Sequence, residues 1–273
     1  METAPGTARR DRATGGGIPL PWLRSLVFER GIPDVSTPTV RVLADASEAA
    51  RHCAETIAEV IERRVTTAGR AAVAFSGGSS PNAMFDHLAG LDLPWSRVHV
   101  FQVDERFVPL GMADRNLTEL RNRLTGPARI PPDHVHPMPV DSDSPHRALA
   151  TYAAELMGVC GNPPVLDCVH LGLGEDGHTA SLFPGDPALE VSGSPLAVSG
   201  VHHGHRRMTL TFEVINRSRS RVWLVVGPAK VDALDRLLSG DPTIPASSVE
   251  PEHSVIFCDR AARPPGPPRS PRN

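Results

Sequence analysis

Four short stretches carry residue types that can do chemistry together. Gly172-Leu173-Gly174-Glu175-Asp176-Gly177-His178-Thr179-Ala180-Ser181 sets one histidine in a glycine-rich loop, just after two carboxylates. An imidazole in such a loop can act as a general base near neutral pH, and Asp176 or Glu175 can set its tautomer. A histidine satisfied inside the fold fits the same residues. Ser76-Gly77-Gly78-Ser79-Ser80-Pro81 has glycines that let a backbone approach a ligand closely. Gly77, Gly78 and Ser79 would precede a helix, whose free amides attract an anion such as phosphate. An ordinary tight turn with a capping serine is the alternative, and GxxxxGK[ST] is absent. Asp104-Glu105-Arg106 places a carboxylate that can orient another group beside a guanidinium fork suited to phosphate or carboxylate. Three charges in a solvated turn would look the same. Arg207, and Lys230 in Gly227-Pro228-Ala229-Lys230, add two cations; the lysine opens a helix whose N-terminus favours anions. Each also reads as a surface charge.

Two other patterns point elsewhere. Gly172 to Gly177 formally contains G-x-G-x-x-G, the dinucleotide fingerprint. The helix that fingerprint needs has little room before Pro184-Gly185 and Pro187, and no acidic residue ends a second strand about twenty positions on. A nicotinamide dehydrogenase is therefore set aside. His202-His203-Gly204-His205 could chelate a metal but reads better as a solvent loop, since neither HExxH nor a CxxC pair supports a zinc site. The sequence calls for no metal.

Elements that would position these residues alternate along the chain. Val40–Leu43, Ala71–Phe75, Arg97–Val103, Val165–Leu173, Arg207–Phe212, Arg221–Val226 and Val255–Cys258 read as strands. Ser47 to Thr67 has apolar residues at helical spacing with Ser47 as N-cap. Further helices are expected from Pro81, over Asn116–Leu124, over Ser144–Gly158 and over Pro228–Leu238. The alternation predicts an α/β fold of three layers, a mostly parallel sheet with helices on both faces. Ligands of such sheets bind at the carboxyl ends of the strands, where the first three stretches and Lys230 fall, while Arg207 stands at the start of its strand. The domain should span 38–262. Residues 1–37 and 263–273, rich in Gly, Pro and Arg, read as disordered tails, with a short ordered patch possible at Pro21–Arg30.

Composition narrows the class. The 273 residues carry a net charge of −3, and of 28 basic residues only Lys230 is a lysine. No basic run offers a nucleic-acid footprint. No apolar stretch is long enough to span a membrane or to serve as a signal peptide. Four cysteines, Cys53, Cys160, Cys168 and Cys258, lie far apart and fit reduced thiols in a cytoplasm.

With those residues in view, the sequence resembles the 6-phosphogluconolactonases from about Val40 to Ala262. Ser76–Pro81 resembles the family's SGGSTP loop, with Ser80 in place of threonine. Asp104-Glu105-Arg106 with Val108-Pro109 resembles its DERxVP segment. Asn116 falls at the asparagine of the following SN pair, where Arg115 replaces the serine. Gly172 to Gly185 (GLGEDGHTASLFPG) is the closest match. Arg207–Thr211 resembles the RxTLT strand, Gly227–Lys230 the GxxK turn and Pro245-Ala246-Ser247 a late Pro-Ala segment. The resemblance implies the fold shared with glucosamine-6-phosphate deaminases and ribose-5-phosphate isomerases. It implies hydrolysis of 6-phospho-D-glucono-1,5-lactone to 6-phosphogluconate in the pentose phosphate pathway, with His178 as general base. No cofactor or metal is implied, the partner is the sugar-phosphate lactone, and the assembly is a monomer or homodimer. A deaminase on the same fold would read DGHIAFNEPG where Thr179-Ala180-Ser181-Leu182-Phe183-Pro184 stands.

Overall fold

Ala71-Ala72-Val73-Ala74-Phe75 is buried at every position, as a strand must be when both its faces are covered. In the computed structural model, which describes residues 38–112 and 114–263, this strand lies near the middle of a parallel sheet. The elements in chain order are β1 (Thr39–Leu43), α1 (Ala46–Ala68), β2 (Ala71–Phe75), α2 (Asn82–Ala89), β3 (Val98–Gln102), β4 (Asp104–Arg106), α3 (Asn116–Leu120), β5 (Val135–His136), α4 (Pro145–Cys160), β6 (Cys168–Leu171), β7 (Leu196–Val198), β8 (Arg207–Leu210), α5 (Phe212–Arg217), β9 (Arg221–Val225), α6 (Val231–Leu238) and β10 (Ser254–Asp259). Seven strands form the parallel sheet in the order β1-β10-β9-β6-β2-β3-β5.

Alternate residues of each strand serve two cores. On one face, Ile57, Ile61, Phe85 and Leu88 from α1 and α2 pack on Val73, Val100, Val222 and Leu224. On the other, Tyr152 and Leu156 of α4, Val214 and Ile215 of α5 and Leu234 of α6 pack on Val169, Leu171, Trp223 and Val225. The three-layer α/β architecture expected from the alternation is therefore present.

Several boundaries differ from expectation. Asp45, not Ser47, caps α1: its carboxylate accepts from Glu48 N at 2.9 Å, while Glu48 reaches back to Ala44 N at 3.1 Å. Asp followed three residues later by Glu is the stronger capping pair. Helix α2 starts one residue after Pro81. The larger correction concerns Asp104-Glu105-Arg106, which is a strand rather than a turn. β4 pairs antiparallel with β8, setting Asp104 against Thr209 and Arg106 against Arg207. β8 also pairs with β7, so the Arg207–Leu210 strand belongs to a separate three-stranded sheet. Period-two alternation does not distinguish the two kinds of sheet. The expected tail at 1–37, that at 263–273 beyond Arg263, and the patch at Pro21–Arg30 lie outside the described residues. Among the described residues no helix is long and apolar enough to cross a membrane, and all four cysteines are free.

One tyrosine closes a gap in the main sheet. β5 pairs with β3 only at Val100↔Val135 and Phe101↔His136, so the main chain of Gln102 extends beyond its neighbour. The buried Tyr152 hydroxyl accepts from Gln102 N at 2.8 Å and donates to Gln102 O at 2.9 Å. Tyr152→Phe leaves both groups unpartnered and should lower stability by about 1–3 kcal/mol. Urea unfolding should show a lower midpoint at unchanged slope.

Candidate active site

The loops after β2, β6 and β9 emerge on the same side as the β3–β4 connection, and between them lies one cleft. Gly77, Gly78, Ser79, Asp104, Arg106, His178, Arg207 and Lys230 all line it. Asp176 stands behind His178. Residues up to 153 positions apart in sequence thus meet at the carboxyl ends of the parallel strands.

His178 is held tightly. Its Nδ1 lies 2.5 Å from Asp176 Oδ1, which also accepts from the His178 main-chain N at 3.1 Å. Gly174 N donates to His178 O at 2.8 Å, and a Cβ on Gly174 would overlap both the imidazole and the Asp176 carboxylate. The carboxylate on Nδ1 assigns the proton there and leaves Nε2 with its lone pair. Burial pushes the His178 pKa down and Asp176 pushes it up, with burial prevailing. The ring is therefore neutral near pH 7. Burial raises the Asp176 pKa, but the bonds from His178 outweigh it and hold the carboxyl below its usual range. Glu175, the other candidate orienter, lies instead 3.9 Å from Lys230 Nζ.

Two guanidinium groups face the cleft from adjacent strands. Arg106 donates to Asp114 O at 2.8 Å and Asn116 Oδ1 at 2.9 Å. Arg207 is buried, its Nε has no partner, and its guanidinium carbon sits 5.1 Å from the centre of the Phe183 ring. Burial and the nearby Arg106 charge both lower the Arg207 pKa, while Asp104 and Glu105 raise it. Paired cations in a partly dry cleft favour a bound anion, which relieves their repulsion. The Asp104 carboxylate accepts from Ser181 Oγ at 2.6 Å, tying the histidine loop to β4.

Glu105 has no exposure and takes no part in the cleft. Its oxygens accept from Arg106 N, Asn116 N, Leu117 N and Gln102 Nε2 at 2.8–2.9 Å, and Arg115 Nε lies 3.3 Å away. Arg115, which stands at the family's serine position, is equally buried and also donates to Asp141 and to Val108 O. It supports the site from below. Asn116 donates to Asp104 O and presses so closely on Gly77 that a Cβ there would overlap its side chain. The glycine is thus fixed by close approach.

Three contributors escaped sequence reasoning. His170 lines the cleft floor with both ring nitrogens unpartnered, and burial pulls its pKa to about 3; a lone histidine in an apolar strand gives no signal. Phe183 lies under Arg207, and only its place in the Leu182-Phe183-Pro184 segment marked it. His202 lies in the largely exposed turn expected, but its ring packs inward and stacks on Phe183 with 3.9 Å between centres.

Parallel strands that deliver a neutral histidine and several cations to one cleft define an α/β protein with a cationic cleft at its strand ends. The chain belongs to the glucosamine-6-phosphate isomerase/6-phosphogluconolactonase family, whose model matches residues 44–258. It is 38% identical over 204 residues to a 6-phosphogluconolactonase of Synechocystis sp., covering 72% of this chain and 85% of that protein. A Nostoc sp. 6-phosphogluconolactonase is 32% identical, with 82% and 96% covered. Among solved structures, a Thermotoga maritima 6-phosphogluconolactonase superposes with a TM-score of 0.73 at 26% identity, covering 82% of this chain and 99% of that one. A monomeric glucosamine-6-phosphate deaminase gives a TM-score of 0.73 at 17% identity, covering 82% and 98%, and so shares the fold.

The Glu105 network yields a stability prediction. Glu105→Ala strands three main-chain amides and removes one of the two carboxylates that pair with the buried Arg115, leaving it the exposed Asp141. Removing one partner of a buried ion pair costs about 3–5 kcal/mol, so the thermal midpoint should fall sharply.

Proposed function

We propose that the chain hydrolyses 6-phospho-D-glucono-1,5-lactone to 6-phosphogluconate, the lactone-opening step of the pentose phosphate pathway. The observation that carries the reading is the neutral His178, backed by Asp176, in the same cleft as Arg106, Arg207 and Lys230. The 6-phosphogluconolactonases among its relatives support it. His178 Nε2 takes a proton from water as the oxygen attacks the lactone carbonyl. The tetrahedral intermediate collapses, the ring C–O bond breaks, and the proton passes to the departing hydroxyl. Asp176 holds the imidazole in the required tautomer and steadies its positive form. Arg106, Arg207 and Lys230, with the Gly77-Gly78-Ser79 loop, hold the phosphate and ring hydroxyls, and Asp104, through Ser181, orients the histidine loop. Binding the remote phosphate places the carbonyl against the base and so contributes to rate. Cation or amide donors near the carbonyl stabilise the oxyanion. The reaction needs no metal or cofactor, and four free thiols fit a cytoplasmic setting.

His178→Ala should lower kcat by about 10²–10⁴-fold, the usual share of a positioned base, while 6-phosphogluconate still binds. A coupled assay with fresh lactone reads the first and calorimetry the second; near-normal turnover by the folded variant would overturn the assignment.

The pH profile offers an independent check. Because burial lowers the His178 pKa, the acid limb of kcat/KM should lie below the ordinary histidine value of about 6.5. Asp176 raises that pKa, so Asp176→Asn should move the limb to still lower pH and reduce kcat. A limb that moves upward would show that Asp176 does not act on the base.

A further inference from the structure

Phe183 touches both halves of the proposed chemistry. Its ring centre is 4.4 Å from that of His178, and the Arg207 guanidinium carbon lies 5.1 Å from it. Phe183 is itself buried. Its one ring therefore contacts both the group proposed to move the proton and one proposed to hold the anion. What keeps Phe183 in place comes from a different part of the chain.

The His202 ring stacks on Phe183 with 3.9 Å between centres and 15° between planes. His202 Nε2 lies 2.7 Å from Asp186 Oδ2. The Asp186 carboxylate is almost fully buried and also accepts from Gly200 N and Ala188 N at 2.8 Å. Main-chain bonds between His202 and His205 close a tight turn around His203 and Gly204, both at positive φ. Two anchors thus fix the imidazole, one by its nitrogen and one by its backbone. The run His202-His203-Gly204-His205 acts here through its first ring, as a prop.

We propose that His202, held by Asp186, is a positioning residue that backs Phe183 and so sets the place of both His178 and Arg207 in the cleft. The proposal rests on the reading of His178 as base and Arg207 as anion holder. It adds a layer behind them that neither residue touches directly. Stacked rings resist sliding, and a cation over an aromatic face is attracted to it. Without the prop Phe183 can shift and admit water to His178. Of the charged groups acting on His178, Asp176 and Asp104 favour its protonation and stay in place, while Arg207, which opposes it, moves with Phe183 and so shifts the pKa in the same upward direction. Less burial raises its pKa as well. This is opposite in sign to the effect expected from Asp176→Asn.

The test uses the full chain with three substitutions at one partly exposed position. His202→Ala removes ring and bond. His202→Gln keeps a donor for Asp186 but loses the ring. His202→Phe keeps a ring and loses the bond. Product affinity is read by calorimetry with 6-phosphogluconate, and kcat/KM is followed against pH with the lactone. For Ala and Gln, the expected results are affinity weaker by about 3- to 10-fold, the scale of a cation–π contact, and an acid limb moved upward. Phe should restore both towards wild type. Wild-type affinity and limb in the Ala variant, or failure of Phe to restore where Gln succeeds, overturns the proposal. A wild-type enzyme with no acid limb would instead sink the base reading, and the product affinities would still decide for or against the prop.

Discussion

A carboxylate sealed from solvent, Glu105, ties three parts of the molecule together. Gln102 at the end of β3 belongs to the parallel sheet, Arg106 to the antiparallel one, and Asn116 and Leu117 to the first turn of α3; all donate to the same two oxygens. A buried charge is tolerable only when it is paired and fully hydrogen-bonded. Here that requirement is met only if β4 leaves the main sheet at this point and α3 returns to it. Arg106 and Asn116 are consequently delivered to the cleft as a bonded pair, and Asn116 in turn demands a glycine at position 77.

Above that anchor the cleft is arranged by charge. Arg207 has little solvent and an unpartnered nitrogen, and Arg106 repels it. Such an arrangement would be relieved by an anion, which is why the proposed substrate's phosphate is assigned to it. Lys230 differs from the two arginines, because it sits within reach of Glu175 on the histidine loop. The only lysine in the chain is therefore a point charge with an exposed carboxylate nearby, beside two guanidinium forks. His178 answers to the opposite logic. As the proposed base it has to be uncharged, and burial lowers its pKa.

Residues close in sequence and rich in glycine were legible from the chain alone. Ser76–Pro81 and Gly172–Ser181 follow apolar strands, and that context is enough to put them at strand ends. Strand–helix alternation likewise revealed the layers. The second sheet was hidden because its strands have only three or four residues and one of them, Asp104-Glu105-Arg106, is wholly charged. Charged triplets normally mark solvent; here Asp104 and Glu105 are buried, with Asn116, Leu117 and Ser181 among their partners, which no local pattern reports. His170 and His202 were missed for the same reason. What each ring does depends on Phe75, Phe85, Phe183 and Asp186, brought near by the fold.

The pairing of β1 with β10 has a consequence for how the molecule comes to be made. The strand that opens the described fold finds its neighbour at Val255–Asp259, and β10 also covers the free edge of β9. During synthesis the ribosome must release almost the whole fold before either edge is closed. Until then β9, a run of Val222-Trp223-Leu224-Val225, presents an apolar strand with unpaired main chain, the kind of edge that recruits other chains. Contacts so distant in sequence also slow folding. The interval between making β9 and docking β10 is thus when a nascent chain is most exposed to aggregation and most dependent on chaperones.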